Sequence, residues 1–256
     1  MDKLTFVLIR SKLRLTLSAA FLAFLAMTVG GCAPREHLPS YQWVDGPTAL
    51  RDLAARAQAV HTASAQCQIT LTRSNGQSVR LDGAVVMQPP DRVRLRAWKL
   101  GQAVFDLTIN RDGVWMVLPD DPQGKQRIIP AGASAAEMAR TWALFSGEFF
   151  SASDAKMIDK GGLRIVVERW IEGKKIDCEV ERATLTPRLY VLSDSSGVKR
   201  FTLNEGEYQV IGGVPWPTRL VARSDSGTID LKLQDVELNG ELPPAAFVPP
   251  RRAQKM

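Results

Sequence analysis

Histidine and cysteine are nearly absent from this sequence, which has two histidines and three cysteines among 256 residues. His37 and His61 match no HExxH spacing, and no CxxC, GxSxG or Walker-type loop occurs. The acidic residues between 168 and 181 fall on the polar register of predicted strands, so they specify no pair of carboxylates facing one cleft. We therefore expect no enzyme, no cofactor and no metal site.

A strong charge of one sign is also lacking from most of the chain. The formal net charge is +6, but residues 1–31 hold four basic residues and one acidic residue, which leaves +3 for the remainder. So small an excess does not favour binding to nucleic acid. We expect no nucleic-acid partner.

Long apolar runs are confined to the beginning of the chain. Four basic residues lead into the uncharged run 15–29, and Val29-Gly30-Gly31-Cys32 follows. The run is shorter than the roughly 20 residues of a membrane span, and small residues before a cysteine are typical of a lipoprotein signal. We expect 1–31 to be a signal peptide and Cys32 to be lipidated. The alternative is an uncleaved anchor with an incidental cysteine.

The remaining 225 residues are long enough for one domain with a substantial core. We expect a lipidated tether over 32–46, a domain over 47–250 and a C-terminal tail over 251–256. Ala33 stands where an Asp favours retention in the inner membrane of Gram-negative bacteria. By that analogy, the protein is expected at the periplasmic face of the outer membrane, held by acyl chains.

Hydrophobic periodicity predicts a mainly β protein. A helical pattern begins at Pro47, and period-two alternation then dominates, with hairpin signals at Asn75-Gly76 and Asp112-Gly113. A second helix is predicted over 134–150 because Ser134 and Glu137 form a capping-box pattern. About eleven strands without alternating helices predict an antiparallel curved sheet or open barrel.

A curved open sheet leaves a concave apolar face that has to be covered. The helix with Trp142 and Phe145 is a candidate lid, although ordinary core packing explains the same residue types. The residues predicted to line a hydrophobic cavity are Val93, Leu95, Phe105, Leu107, Trp115, Trp142 and Phe145.

Two other features have alternative interpretations. Cys67 and Cys178 lie on the apolar register, which favours two buried, unpaired thiols over a disulfide. Arg92, Arg94 and Arg96 form a basic stripe along one strand face. That stripe is either a solvated surface or a surface facing anionic lipid headgroups.

Several short sequence segments resemble those of a known protein family in composition and order. They are Pro90-Asp91-Arg92-Val93-Arg94-Leu95-Arg96, Lys99-Leu100-Gly101-Gln102, Phe105-Asp106-Leu107, Val214-Pro215-Trp216-Pro217, and Leu238-Asn239-Gly240-Glu241-Leu242-Pro243 with Phe247. Together they resemble the LolA/LolB superfamily of periplasmic lipoprotein carriers and outer-membrane lipoprotein receptors, over most of residues 47–250.

The resemblance implies an unclosed antiparallel half-barrel with helices covering an apolar cavity. It implies binding of acyl chains of lipoproteins or lipids, for lipoprotein localisation or lipid transfer, with a soluble periplasmic carrier as partner. Leu100 matches the exposed leucine with which the receptors insert into the membrane. The chain is longer than a minimal receptor, and relatives also serve as lipid binders or envelope sensors. A structural or sensing lipoprotein that binds a protein partner without a lipid cavity therefore remains the alternative.

Overall fold

The computed structural model describes residues 37–117, 142, 144, 148–159 and 161–256. Residues 37–256 form a compact unit that contains every element described below. The predicted lipidation site Cys32, the predicted lid residue Phe145 and a predicted strand at 127–129 lie outside the described residues, as does most of the predicted helix over 134–150.

The described elements are two helices and thirteen strands. In chain order they are α1 (Gly46–Gln58), β1 (Ala63–Arg73), β2 (Ser78–Gln88), β3 (Arg92–Lys99), β4 (Gln102–Asn110), β5 (Gly113–Val117), α2 (Glu148–Ser151), β6 (Lys156–Ile158), β7 (Arg164–Ile171), β8 (Lys174–Glu181), β9 (Thr186–Ser193), β10 (Lys199–Ile211), β11 (Val214–Ser224), β12 (Gly227–Leu238) and β13 (Gln254–Lys255).

The strands form one unclosed antiparallel sheet in the order β13-β5-β4-β3-β2-β1-β12-β11-β10-β9-β8-β7-β6. This confirms the predicted mainly β, open architecture. Two predicted strands, 198–203 and 207–211, are one continuous β10, since the pairing with β11 keeps the same register on both sides of Glu207. The short β6 and β13 have too few residues for alternation to be seen in the sequence.

One face of the sheet carries the core. Leu95, Leu107 and Met116 are buried on this face, and Ala49 and Leu53 of α1 are buried in the same cluster. We call this side the inner face and the opposite side the outer face. Burial of alternate residues along the strands follows from the period-two pattern of the sequence.

Helix α1 begins where the sequence predicts. Asp45 caps it, because its carboxylate accepts a hydrogen bond from the backbone N–H of Thr48 at 2.7 Å, and a proline occupies the first turn. Near the other end, Arg56 Nη1 donates to the backbone oxygens of Thr184 and Leu185 at 2.9 and 3.0 Å. These bonds fasten the helix to the turn between β8 and β9.

The end of the predicted tether is part of the folded unit. The Tyr41 N–H donates to the backbone oxygen of Ala183 at 2.7 Å, and its hydroxyl donates to Asp52 at 2.8 Å. The guanidinium of Arg182 lies 4.3 Å from the ring centre of Trp43. Aromatic side chains in a segment without periodicity therefore pack on the domain, which the pattern alone did not predict.

The predicted C-terminal tail returns to the sheet instead of ending outside it. Prolines interrupt the chain after β12, as expected, but Gln254 and Lys255 then pair with Met116 and Trp115 of β5. The N–H of Met256 donates to the backbone oxygen of Val114 at 3.0 Å. The tail therefore covers one edge of the sheet. Of the helices within the described ranges, none is long and apolar enough to cross a bilayer.

Candidate functional site

A cavity of about 80 Å³ lies on the inner face between α1 and strands β9 to β11. Its walls combine apolar side chains of the helix and sheet with a few polar groups. The lining residues are Leu53, Arg56, Ala57, Val60, Leu144, Phe150, Leu185, Thr186, Pro187, Tyr190, Glu205, Tyr208, Val214, Pro215, Trp216 and Pro217.

A carboxyl group faces this cavity from β10. Glu205 lies two residues after the buried Leu203 and is 8% exposed. Burial raises its pKa from the ordinary 4.5 to about 7, against the lowering effects of the Tyr208 hydrogen bond and the Arg188 charge. An acidic residue on the apolar register of a strand is rare in a structural core, so Glu205 marks this cavity as a candidate site.

The hydroxyl of Tyr208 has two acceptors within reach. Its oxygen lies 2.5 Å from Glu205 Oε2 and 2.7 Å from the backbone oxygen of Pro187. The single hydroxyl proton of Tyr208 can be donated to only one of these acceptors. Both contacts are hydrogen bonds when Tyr208 donates to the Pro187 oxygen and a protonated Glu205 donates to the Tyr208 oxygen. The raised pKa of Glu205 agrees with that arrangement.

The cavity also contains a polar group without a described partner. The indole Nε1 of Trp216 is buried and has no hydrogen-bond partner among the residues that the structure describes. A buried N–H without an acceptor is unfavourable by about 1–3 kcal/mol.

The predicted cavity residues lie at another part of the same core. Val93, Leu95 and Leu107 are buried on the inner face of β3 and β4, and Phe105 and Trp142 pack against that cluster. None of these five lines the 80 Å³ cavity, although Leu144, next to the predicted lid residues, does.

Trp115 does not belong to the predicted lining. It pairs with Thr108, while its neighbour Met116 pairs with Leu107 on the inner face. Because successive side chains of a strand point to opposite faces, Trp115 lies on the outer face, where Lys255 Nζ is 5.6 Å from its ring centre. The sequence prediction was wrong for Trp115. It relied on the apolar residue type and did not use the strand register, which places this side chain on the outer face.

The residues that sequence reasoning missed are those of the second half of the sheet. Two signals were present: Glu205 on the register of Leu203, and Trp216 between two prolines. Neither reveals by itself that α1, some 150 residues earlier in the chain, covers both.

Leu100 lies at the tip of the β3–β4 hairpin and is 93% exposed. Leu100 and Gly101 both have positive φ, of 49° and 78°, as in the two-residue turns that favour asparagine and glycine. A leucine here combines exposure of an apolar side chain with an unfavourable backbone conformation.

The two cysteines of the described residues are free thiols buried in the core, which confirms the prediction of unpaired cysteines. Burial raises the pKa of Cys67 to about 12 and that of Cys178 well above its usual range. Within the described ranges, no group of three or more His, Cys, Asp or Glu side chains is placed to hold a metal ion.

Solved structures share this fold. A lipoprotein-sorting protein domain of the outer membrane from Vibrio parahaemolyticus is 15% identical, with a TM-score of 0.54 over 79% of this chain and 96% of that one. A LolA superfamily protein from Nitrosomonas europaea is 14% identical, with a TM-score of 0.55 over 80% and 98%.

A DUF1329 family protein from Desulfovibrio piger is 13% identical, with a TM-score of 0.58 over 80% of this chain and 98% of that chain. No family sequence model and no curated protein sequence matches the chain. At these identities the likeness shows the fold alone. The chain therefore has the LolA/LolB-like fold, an open antiparallel sheet with helices on its inner face, as the sequence resemblance predicted.

Proposed function

We propose that this protein is an outer-membrane lipoprotein that binds acyl chains of lipoproteins or lipids on its inner face. The observation that carries the proposal is the cavity between α1 and the sheet, with apolar walls and a few polar groups. Such a composition suits an amphiphilic ligand, because burial of apolar area contributes roughly 25 cal/mol per Å² while the polar groups orient the ligand.

The polar groups suit the carbonyl end of an acyl chain. Trp216 carries a buried N–H without a described partner, and an ester or amide carbonyl accepts a hydrogen bond from such a donor, while protonated Glu205 donates to Tyr208. No covalent step is involved. The ligand is held by packing and by one hydrogen bond.

Binding of an acyl chain in this cavity needs more room than the structure has. Pockets for small organic ligands have volumes of about 300–1,000 Å³, whereas this one has about 80 Å³. The helix is fastened near one end by Arg56, and its first turns carry the buried Ala49 and Leu53. We therefore propose that the structure is the closed state and that α1 shifts away from the sheet when an acyl chain enters.

The rest of the proposal concerns membrane attachment. Lipidation of Cys32 after removal of residues 1–31 anchors the domain, and Ala33 favours the outer membrane. Leu100, exposed at a turn where leucine is unfavourable, inserts into the bilayer. The cargo arrives from a soluble periplasmic carrier.

A fluorescent fatty-acyl probe titrated into residues 37–256 tests the cavity. Ala57→Trp fills the cavity from α1 without removing a core side chain, and we expect it to weaken saturable probe binding at least about tenfold. Ala55→Trp is the matched control, because Ala55 is exposed on the same helix and outside the lining. Wild-type affinity in Ala57→Trp would show that the ligand binds elsewhere.

The alternative is a structural or envelope-sensing lipoprotein that binds a protein partner. The small cavity favours it, because the inner face is largely filled by its own side chains. The same titration separates the two functions. Saturable binding sensitive to Ala57→Trp supports the acyl-chain site, and no binding at any probe concentration supports the filled scaffold.

A further inference from the structure

A second cavity lies mainly on the outer face, away from the proposed acyl-chain site, and its lining includes the buried Ala97 and the predicted cavity residue Phe105. It has a volume of about 350 Å³ and lies beside the β3–β4 hairpin, with the C-terminal tail as its other wall. Arg94, Arg96, Trp98 and Asp106 contribute from the strands, and Arg252 contributes from the tail.

The C-terminal tail is held against the sheet on both sides of the residues that line the cavity. Arg94 Nη1 donates to the backbone oxygen of Ala246 at 3.3 Å, and Asn110 Nδ2 donates to that of Phe247 at 3.3 Å. Beyond the cavity, Gln254 and Lys255 pair with β5. The tail is thus fixed on both sides of the segment that lines the cavity.

The charges in this cavity are not balanced. Asp106 accepts two hydrogen bonds from Arg94, at 3.0 and 2.8 Å, so this pair is neutral. Arg96 reaches the same carboxylate only through Nε, at 3.3 Å, and its side chain is 58% exposed. Arg252 is exposed and forms no ion pair with the residues that the structure describes. One carboxylate therefore faces three guanidinium groups, which favours an anionic ligand.

The cavity adjoins the exposed tip of the hairpin. Trp98 and Ala103, both in its lining, pair with each other next to the Lys99–Gln102 pair that closes the turn at Leu100. Tryptophan is enriched where a membrane meets water. A basic cavity, a tryptophan and a protruding leucine thus follow one another along one hairpin.

The same end of the sheet has further exposed apolar residues. Strand register places the β7–β8 and β9–β10 turns at this end, and Trp170 and Val198 there are 55% and 48% exposed. Lys99, Lys174 and Lys199 lie at these turns, and so do the acidic residues Glu172 and Asp194. Protruding apolar side chains suit contact with a bilayer, and the excess of positive charge lies in the cavity beside the hairpin.

We propose that the outer-face cavity binds the phosphate group of an anionic phospholipid while the hairpin tip contacts the bilayer. Arg96 and Arg252 supply planar guanidinium groups, which match phosphate oxygens in a two-pronged arrangement. Trp98 and Pro250 face the glycerol portion. The contact of the hairpin tip rests on the proposed insertion of Leu100, whereas the cavity lies apart from the acyl-chain site, so a failure to bind acyl chains leaves this proposal standing.

Sedimentation of residues 37–256 with vesicles tests the proposal. Vesicles of phosphatidylglycerol mixed with phosphatidylcholine are compared with vesicles of phosphatidylcholine alone. We expect Arg96→Gln/Arg252→Gln to weaken binding to the anionic vesicles by roughly tenfold or more, because each basic residue near the surface contributes about 1 kcal/mol. Binding to phosphatidylcholine alone is expected to be weak for all variants.

The control removes the same charge elsewhere. Arg164 is 59% exposed, close to Arg96 at 58%, and Arg251 is the exposed neighbour of Arg252 outside the lining. We expect Arg164→Gln/Arg251→Gln to change binding by less than about threefold, because Arg164 is distant from the cavity and screened by salt and Arg251 does not line it. If both double variants lost the same amount of binding to anionic vesicles, binding would depend on general surface charge and not on the cavity, which would overturn the proposal.

A single-variant comparison and a titration with inorganic phosphate complete the test. If Arg96→Gln unfolds the hairpin, the single variant Arg252→Gln is compared with Arg251→Gln, because both residues are exposed on the tail. Inorganic phosphate is titrated by calorimetry in parallel. Binding of free phosphate that depends on Arg96 and Arg252, with no such dependence for vesicles, would identify a soluble anion as the ligand and overturn the lipid assignment.

Discussion

The hydroxyl oxygen of Tyr208 lies 2.5 Å from a carboxylate oxygen of Glu205, inside a cavity lined mainly by apolar side chains. Burial raises the pKa of this carboxyl group to about 7. The proton held by Glu205 therefore couples the stability of the domain, and the Glu205–Tyr208 contact in the cavity wall, to pH in a range close to neutrality.

The free energy of unfolding is expected to fall between pH 4.5 and 7. Below this window Glu205 is protonated in both states. Within it the unfolded state loses the proton and the folded state keeps it, so stability decreases with rising pH by about 3 kcal/mol in total, and above pH 7 the loss is complete. Urea unfolding of wild type and Glu205→Gln across this range measures the difference. Glu207→Gln, on an exposed neighbour, is the control, and a wild-type curve parallel to that of Glu205→Gln would contradict the prediction.

Substitution of Leu100 separates stability from membrane contact. Leu100→Asn places a residue that tolerates positive φ in the turn, so we expect stability to be unchanged or to rise by up to about 1 kcal/mol. Delivery of lipoprotein to membranes is expected to fall in the same variant. Thermal unfolding and a vesicle transfer assay measure the two effects. Full delivery by the asparagine variant would exclude an inserting role for Leu100.

The two core cysteines are expected to be unreactive in the folded domain. The thiol of Cys67 has a pKa of about 12, and that of Cys178 is buried and shifted in the same direction, because burial disfavours the thiolate. A thiol reagent at pH 8 should label neither residue in native 37–256 and both after denaturation. Rapid labelling without unfolding would mean that the sheet opens locally at β1 or β8.

A strand glycine supports the packing of the first half of the sheet. A Cβ at Gly83 would lie 2.7 Å from the backbone oxygen of Arg96 and 2.9 Å from Cys67 Sγ. We expect Gly83→Ala to destabilise the domain by about 1–3 kcal/mol through overpacking. Gly206→Ala is the matched control, since a Cβ there meets nothing within 4 Å, and it should be neutral or slightly stabilising. Equal midpoints of denaturation for the two variants would refute the close approach.

Much of the fold is local and therefore visible in the sequence. Alternation assigned strands β1 to β5, and Asn75-Gly76 and Asp112-Gly113 marked turns that the structure contains. Asp45 and Pro47 predicted the start of α1, because capping depends on residues that are neighbours in the chain. The buried state of Cys67 and Cys178 followed from their register in the same way.

The sites depended on contacts between distant parts of the chain. Whether Trp115 faces inward depends on its pairing with Thr108, and no residue type specifies that register. Glu205 acquires its raised pKa because helix and strands exclude water from it, and Arg252 joins Arg96 only because the tail returns to β5. The sequence by itself thus determined the strands, turns and apolar register, since these are properties of neighbouring residues. Only the tertiary structure decided which polar groups share a cavity, because burial and register are set by packing across the whole sheet.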